Sequence, residues 1–123
     1  MFQFSHRQIG TVLVVEVRGE MRFDKECREL EASLALATAG RARCVLLDLS
    51  DATDLSSAGL GVILLAMRAH QQRGGVFKLC GVRPPPPYFL GQPSRISPDT
   101  IDLPVAEALR TFPVDDCRPL SEP

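Results

Sequence analysis

All ten prolines lie between Pro84 and Pro123, so the first 83 residues lack the residue that breaks helix interiors and central strands. This asymmetry predicts a regular body followed by a C-terminal part rich in helix breakers. A length of 123 residues suits one domain, and 45% hydrophobic content is ordinary for a globular chain. With 14 basic against 15 acidic side chains, charge is too balanced for disorder and lacks the basic surplus of a dedicated nucleic-acid binder. No direct nucleic-acid contact is expected.

Met1 to Arg7 shows no basic-then-apolar signal pattern. The longest apolar run, Ala58 to Met67, is about half the length that spans a bilayer, so no membrane insertion is expected. Cys27, Cys44, Cys80 and Cys117 are scattered, with no C-x-x-C pair and no His at metal-ligand spacing. They read as buried or incidental free thiols in a reducing cytoplasm, with no metal and no cofactor.

Strand and helix patterns alternate through the body. Phe2 to Ser5 alternates apolar and polar, Gly10 permits a turn, and Thr11 to Val17 is β-branched, which together predict a hairpin ended by Gly19-Glu20. Asp24 can cap a helix whose apolar stripe is Cys27, Leu30, Leu34 and Ala37, with Gly40 as its stop. Cys44 to Leu49 reads as a strand covered on both faces. A second helix is expected from Ser57 to Gln72, closed by Gly74-Gly75. Being apolar nearly all round, it should be the most buried helix. Val76 to Cys80 makes a further strand. Near the end, Ile101-Asp102-Leu103 suits an edge strand, and Pro104 opens a last helix from Val105 to Phe112. The order β-β-α-β-α-β implies an α/β domain with two crossovers and helices packed on a mixed sheet of four to five strands.

Enzyme constellations are sparse, and no catalytic residue is assigned. His6 and His70 lie far apart, and His70 at a helix end reads as a surface residue favoured by the helix dipole. Gly59 and Gly61 do not complete a dinucleotide-binding fingerprint, and no G-x-S-x-G elbow or Walker lysine is present. The informative feature is the hydroxyl pair Ser56-Ser57 opening the second helix. Its plain role is an N-cap. Its sharper role is a phosphoacceptor, because a helix N-terminus favours a dianion while a binding partner at the same surface would be repelled.

The chain resembles the STAS domain family in its anti-sigma factor antagonists. The matching segments are Val15-Glu16-Val17-Arg18-Gly19-Glu20, Val45-Leu46-Leu47-Asp48-Leu49-Ser50 and Leu55-Ser56-Ser57-Ala58-Gly59-Leu60-Gly61-Val62-Ile63-Leu64. Arg73-Gly74-Gly75, Leu79-Cys80-Gly81-Val82 and Val105-Ala106-Glu107-Ala108-Leu109 follow in the family's order. The resemblance implies a STAS-like single domain over residues 1–112, with 113–123 as a flexible tail. It also implies a non-enzymatic partner-switching role. The dephosphorylated domain binds a serine-kinase anti-sigma factor, phosphorylation breaks the complex, and a cognate phosphatase restores it. ATP and magnesium belong to the kinase.

Two departures qualify that transfer. The family's acceptor motif runs Asp-Ser-Ser/Thr-Gly, whereas this chain has Ser56-Ser57-Ala58-Gly59, which puts Ala58 at the usual acceptor position. Either Ser57 takes over the role, with Ser56 second in line, or the switch is lost. In addition, Pro84 to Pro87 stand where the family starts a helix, which delays that helix to about Tyr88 or removes it. The expected partner surface comprises Asp48, Asp54, Ser56, Ser57, Gly59 and Leu60. The alternative is a constitutive STAS scaffold or transport-associated subunit, in which Ser57 is only a cap. Small-ligand binding at the helix mouth is a weaker third reading.

Overall fold

Gly10, at φ +59, turns the chain from β1 (Gln3–Ile9) back into β2 (Val12–Glu20), pairing Gln3 with Arg18 and Ile9 with Val12 in antiparallel register. The computed structural model describes residues 3–21, 24–53, 56–82, 100, 102–112 and 117. After β2 come α1 (Asp24–Thr38), β3 (Cys44–Thr53), α2 (Ser57–Gln72), β4 (Val76–Cys80) and α3 (Val105–Leu109). The sheet has the order β1-β2-β3-β4, with β2, β3 and β4 parallel. The architecture is thus the expected α/β domain with a four-stranded mixed sheet.

Side-chain alternation along the strands divides the interior into two layers. On one face Val15, Val17, Val45, Leu47, Leu49, Phe77 and Leu79 pack against Leu30 and Leu34 of α1 and Leu60, Ile63 and Met67 of α2. On the other, Val12, Val14, Cys44, Leu46 and Cys80 pack against Ala108, Phe112 and Cys117. Leu46 and Leu47 are both fully buried, on opposite faces, which is why β3 reads as a continuous apolar run. Each such leucine contributes on the order of 2 kcal/mol of transfer free energy.

Several expectations are corrected. β1 extends to Ile9 and β3 to Thr53, beyond the Phe2 to Ser5 and Cys44 to Leu49 spans. Between Asp48 and Asp51 the register with β2 slips by one, so β3 carries a bulge there. Pro104 is the N-cap of α3, and the helix stops at Leu109, with Arg110 to Phe112 in turns. Asp102 and Leu103 form a turn rather than a strand, the Leu103 N–H meeting the Thr100 carbonyl at 3.0 Å. Ile101, Pro84 to Pro87 and Tyr88 lie outside the described residues.

As expected, α2 carries more buried residues than either other helix, though not on every side. Its sheet-facing stripe is Gly59, Leu60, Ile63, Met67 and His70, whereas Leu65 on the outer side is 67% exposed. The helix lies in the outer layer, so an apolar sequence on every side still leaves one side facing water.

Finally, the four cysteines are not all free thiols. Cys44 and Cys117 form a disulfide, with Cα atoms 5.3 Å apart, and only Cys27 and Cys80 are free. Cys117, expected in a flexible tail, is buried against the second face of the sheet. The cysteine argument for a reducing compartment therefore falls away.

Candidate functional site

The mouth of α2 is built from three separated stretches of chain. The buried Met21, just past β2, donates its N–H to the Thr53 carbonyl at 3.3 Å and accepts from the Ser56 N–H at 3.2 Å. Those two bonds fasten the end of β2 to both sides of the link from β3 into α2. Ser56 has extended backbone (φ −75, ψ 165), and its hydroxyl oxygen accepts the Gly59 N–H at 3.0 Å. Its carbonyl accepts the first intrahelical bond, from the Leu60 N–H at 2.9 Å. The Cys27 thiol of α1 lies 3.9 Å from the Ser56 hydroxyl. Ser56 is thus the half-buried cap, correcting the reading that gave Ser57 that role.

Ser57 is the first helical residue and is exposed, as is Ala58 after it. The helix N-terminus carries partial positive charge from its aligned peptide dipoles, and Ser57 stands on that turn. Gly59 and Leu60 point inward, Leu60 joining the main core. Of the residues expected on a partner surface, Ser56 and Ser57 gather at the rim and Gly59 and Leu60 lie beneath it. Asp54 lies outside the described residues.

Asp48 is placed elsewhere. It shares the second face of the sheet with Leu46 and Cys80, opposite α1 and α2, and is buried. Its carboxylate accepts the Ser50 N–H at 3.0 Å and the Ser50 hydroxyl, pinning the β3 bulge. The Cys80 thiol is 4.0 Å away, and burial, with the Asp48 charge, pushes its pKa up to about 12. Gly81 (φ +84) packs so closely that a β-carbon there would fall 2.3 Å from the Ser50 hydroxyl and 2.8 Å from Asp48. Asp48 shapes the strand end from within rather than forming part of an open surface.

His70 is likewise buried, not a surface residue. Its Nε2 lies 2.7 Å from the Arg43 carbonyl, so Nε2 carries the proton and donates it, and its ring meets Phe77 edge-on at 6.0 Å. Nδ1 is buried with no hydrogen-bond partner. Burial lowers the pKa below 6.5, partly opposed by the bond to Arg43 and reinforced by Arg73. The stripe Ile63, Met67, His70, spaced by four and three, already carried this signal. The contributions of Met21 and Cys27 to the helix mouth had no local signal, because both come from distant chain segments. Among the described residues, no group of three His, Cys, Asp or Glu side chains is placed to hold a metal ion. Nor is any helix among them long and apolar enough to cross a membrane.

Comparison with known proteins adds the following. The family model of the STAS domain matches residues 3–86. A search of curated proteins found no match. Among solved structures, the Bacillus cell fate determinant SpoIIAA in its phosphorylated form superposes with a TM-score of 0.62 at 20% identity, covering 89% of this chain and 97% of that one. The anti-sigma factor antagonist SpoIIAA in its unphosphorylated form gives 0.63 at 19% identity, covering 89% and 96%. At such identities the likeness is one of fold.

Proposed function

The chain belongs to the STAS domain family, and from that premise we propose that it is a non-enzymatic, cytoplasmic regulator of the anti-sigma factor antagonist kind. It binds a serine-kinase anti-sigma factor through the mouth of α2, and phosphorylation of Ser57 ends the complex. A cognate phosphatase reverses the modification. Ser56 borders the contact, while Gly59 and Leu60 support it from inside.

The observation that carries this reading is the division between adjacent serines. Ser56 holds the cap, so Ser57 is exposed with no share in it. A phosphate on Ser57 would sit on a helix N-terminus that favours negative charge, leaving the fold intact. The same dianion would be repelled or poorly desolvated by a partner docked there. ATP and magnesium enter with the kinase, and this chain supplies only the accepting hydroxyl.

Incubation with the cognate anti-sigma kinase and magnesium-ATP, followed by mass spectrometry, tests the proposal. One phosphate on Ser57, absent in Ser57→Ala, is the expected result. Unmodified Ser56 and Ser57, with no complex formed, sinks it. Ala58, exposed at the family's usual acceptor position, favours the second reading, a constitutive scaffold or transport-associated subunit. In that case Ser57→Asp leaves partner affinity unchanged.

A further inference from the structure

α1 and α2 run side by side in the same direction, because each returns from the end of one parallel strand to the start of the next. The Cys27 thiol near the start of α1 lies beside Ser56, the cap of α2. Where the helices end, Arg73 donates to the carbonyls of Thr38 and Gly40. On the outer side the pair borders an open cleft of about 370 Å³, walled by Ala35 and Ala39 of α1 and by Val62, Leu65, Ala66 and Ala69 of α2. Ala35, Ala39 and Ala69 are exposed. Leu65 is 67% exposed, and Leu36, next to Ala35, is 79% exposed. These two leucines are the exposed large hydrophobic side chains among the described residues, and both stand beside alanines on one face of the molecule.

The cleft is charged at its two ends with opposite sign. Glu31 borders it toward the helix starts and Arg73 toward the helix ends. Among the described residues neither is in an ion pair, and the groups that Arg73 meets on α1 are neutral carbonyls.

We propose that this face pairs with the same face of a second copy of the chain, about a two-fold axis that crosses both helices near Ala35 and Ala66. Such an axis makes the facing helices antiparallel and the contact self-complementary. It brings Glu31 of each copy over Arg73 of the other, so two ion pairs bracket the patch. Leu36 and Leu65, each one residue from the axis, then seat against alanines of the facing copy, large side chain on small. A foreign protein would have to supply both the opposite charges and the leucines, whereas a second copy brings both at the right spacing. Burial of the leucines supplies most of the free energy, and the exposed charges fix the direction of pairing. The pair carries one Ser57 toward each end, and the inference does not rest on the function proposed above.

Sedimentation equilibrium of the full chain, without kinase or phosphate, tests it. Between about 1 and 500 μM the mass should rise from one chain to two. Leu65→Glu, whose side chain lies outside the core, should weaken the pairing at least about tenfold. Raising sodium chloride to about 0.5 M should weaken the parent pair about threefold, because it screens the two ion pairs. Glu31→Lys sets like charges face to face, so it should pair at least about threefold less tightly at low salt and tighten as salt is added. A single-chain mass at the top of the range, which would leave the face to a different protein, overturns the proposal. So does parental affinity in Leu65→Glu, which would place the contact elsewhere, or in Glu31→Lys at low salt.

Discussion

The Ser56 hydroxyl oxygen accepts the Gly59 N–H at 3.0 Å, so the first of the two adjacent serines holds the helix and the second does not. Ser56→Ala should therefore cost about 1 kcal/mol of stability. Ser57→Ala should stay within about 0.5 kcal/mol of the parent. Urea unfolding of both variants checks this, and equal losses would contradict the assignment of the cap.

Charge on Ser57 should affect binding and folding in opposite ways. Ser57→Asp places a carboxylate on the first turn of α2, where it stabilises the helix by about 0.3–1 kcal/mol. Affinity for the kinase partner should fall at least about tenfold, or 1.4 kcal/mol. Calorimetric titration and thermal unfolding of one preparation read both quantities, and a parallel loss of stability would point to misfolding instead.

His70 predicts a stability that weakens on acidification. Burial lowers its pKa in the folded chain below the ordinary 6.5, so the unfolded chain binds the proton first. Its contribution is complete above about pH 6.5 and is lost as the pH falls below that value, by at most about 1.4 kcal/mol per pH unit. Urea midpoints at pH 7.5, 6.5 and 5.5 should decline in the parent chain and decline less in His70→Asn. A flat profile in the parent would show that the imidazole is not buried neutral.

Gly81→Ala tests the support beneath the end of β3. Positive φ alone disfavours alanine, and its β-carbon would fall 2.7 Å from the Ser50 backbone nitrogen, which cannot swing away. A loss of about 2 kcal/mol or more is expected from denaturant unfolding. Asp48→Ala, which leaves the Ser50 groups without their acceptor, should cost about 1–3 kcal/mol.

Local signals were readable wherever one stretch of chain contained the whole cause. Both bounds of α2 agree with expectation because Ser56, the apolar run and Gly74 lie in direct succession. Asp48 misled because a run buried on both faces hides which face each residue takes. Only pairing with Cys80 and contact with Ser50 place its carboxylate opposite the helices. The exposure of Leu65 had no sequence signal for a related reason, since a helix apolar on every side does not reveal which side lacks cover. The Cys44–Cys117 bond had no sequence signal, because 73 residues of intervening fold bring those sulfurs together.

The two faces of the sheet are also completed at different times. As the chain leaves the ribosome, β1 to β4 and both large helices emerge before Ala108, Phe112 and Cys117, the described residues beyond the sheet that are buried against its second face. Val14, Leu46 and Cys80 then wait for those contacts until residues 105–117 are made, roughly 2–7 s at 5–20 residues per second. During that interval the nascent protein carries half a core open to other nascent chains. Yield in the cell should then depend on chaperone capacity as well as on the stability of the finished domain.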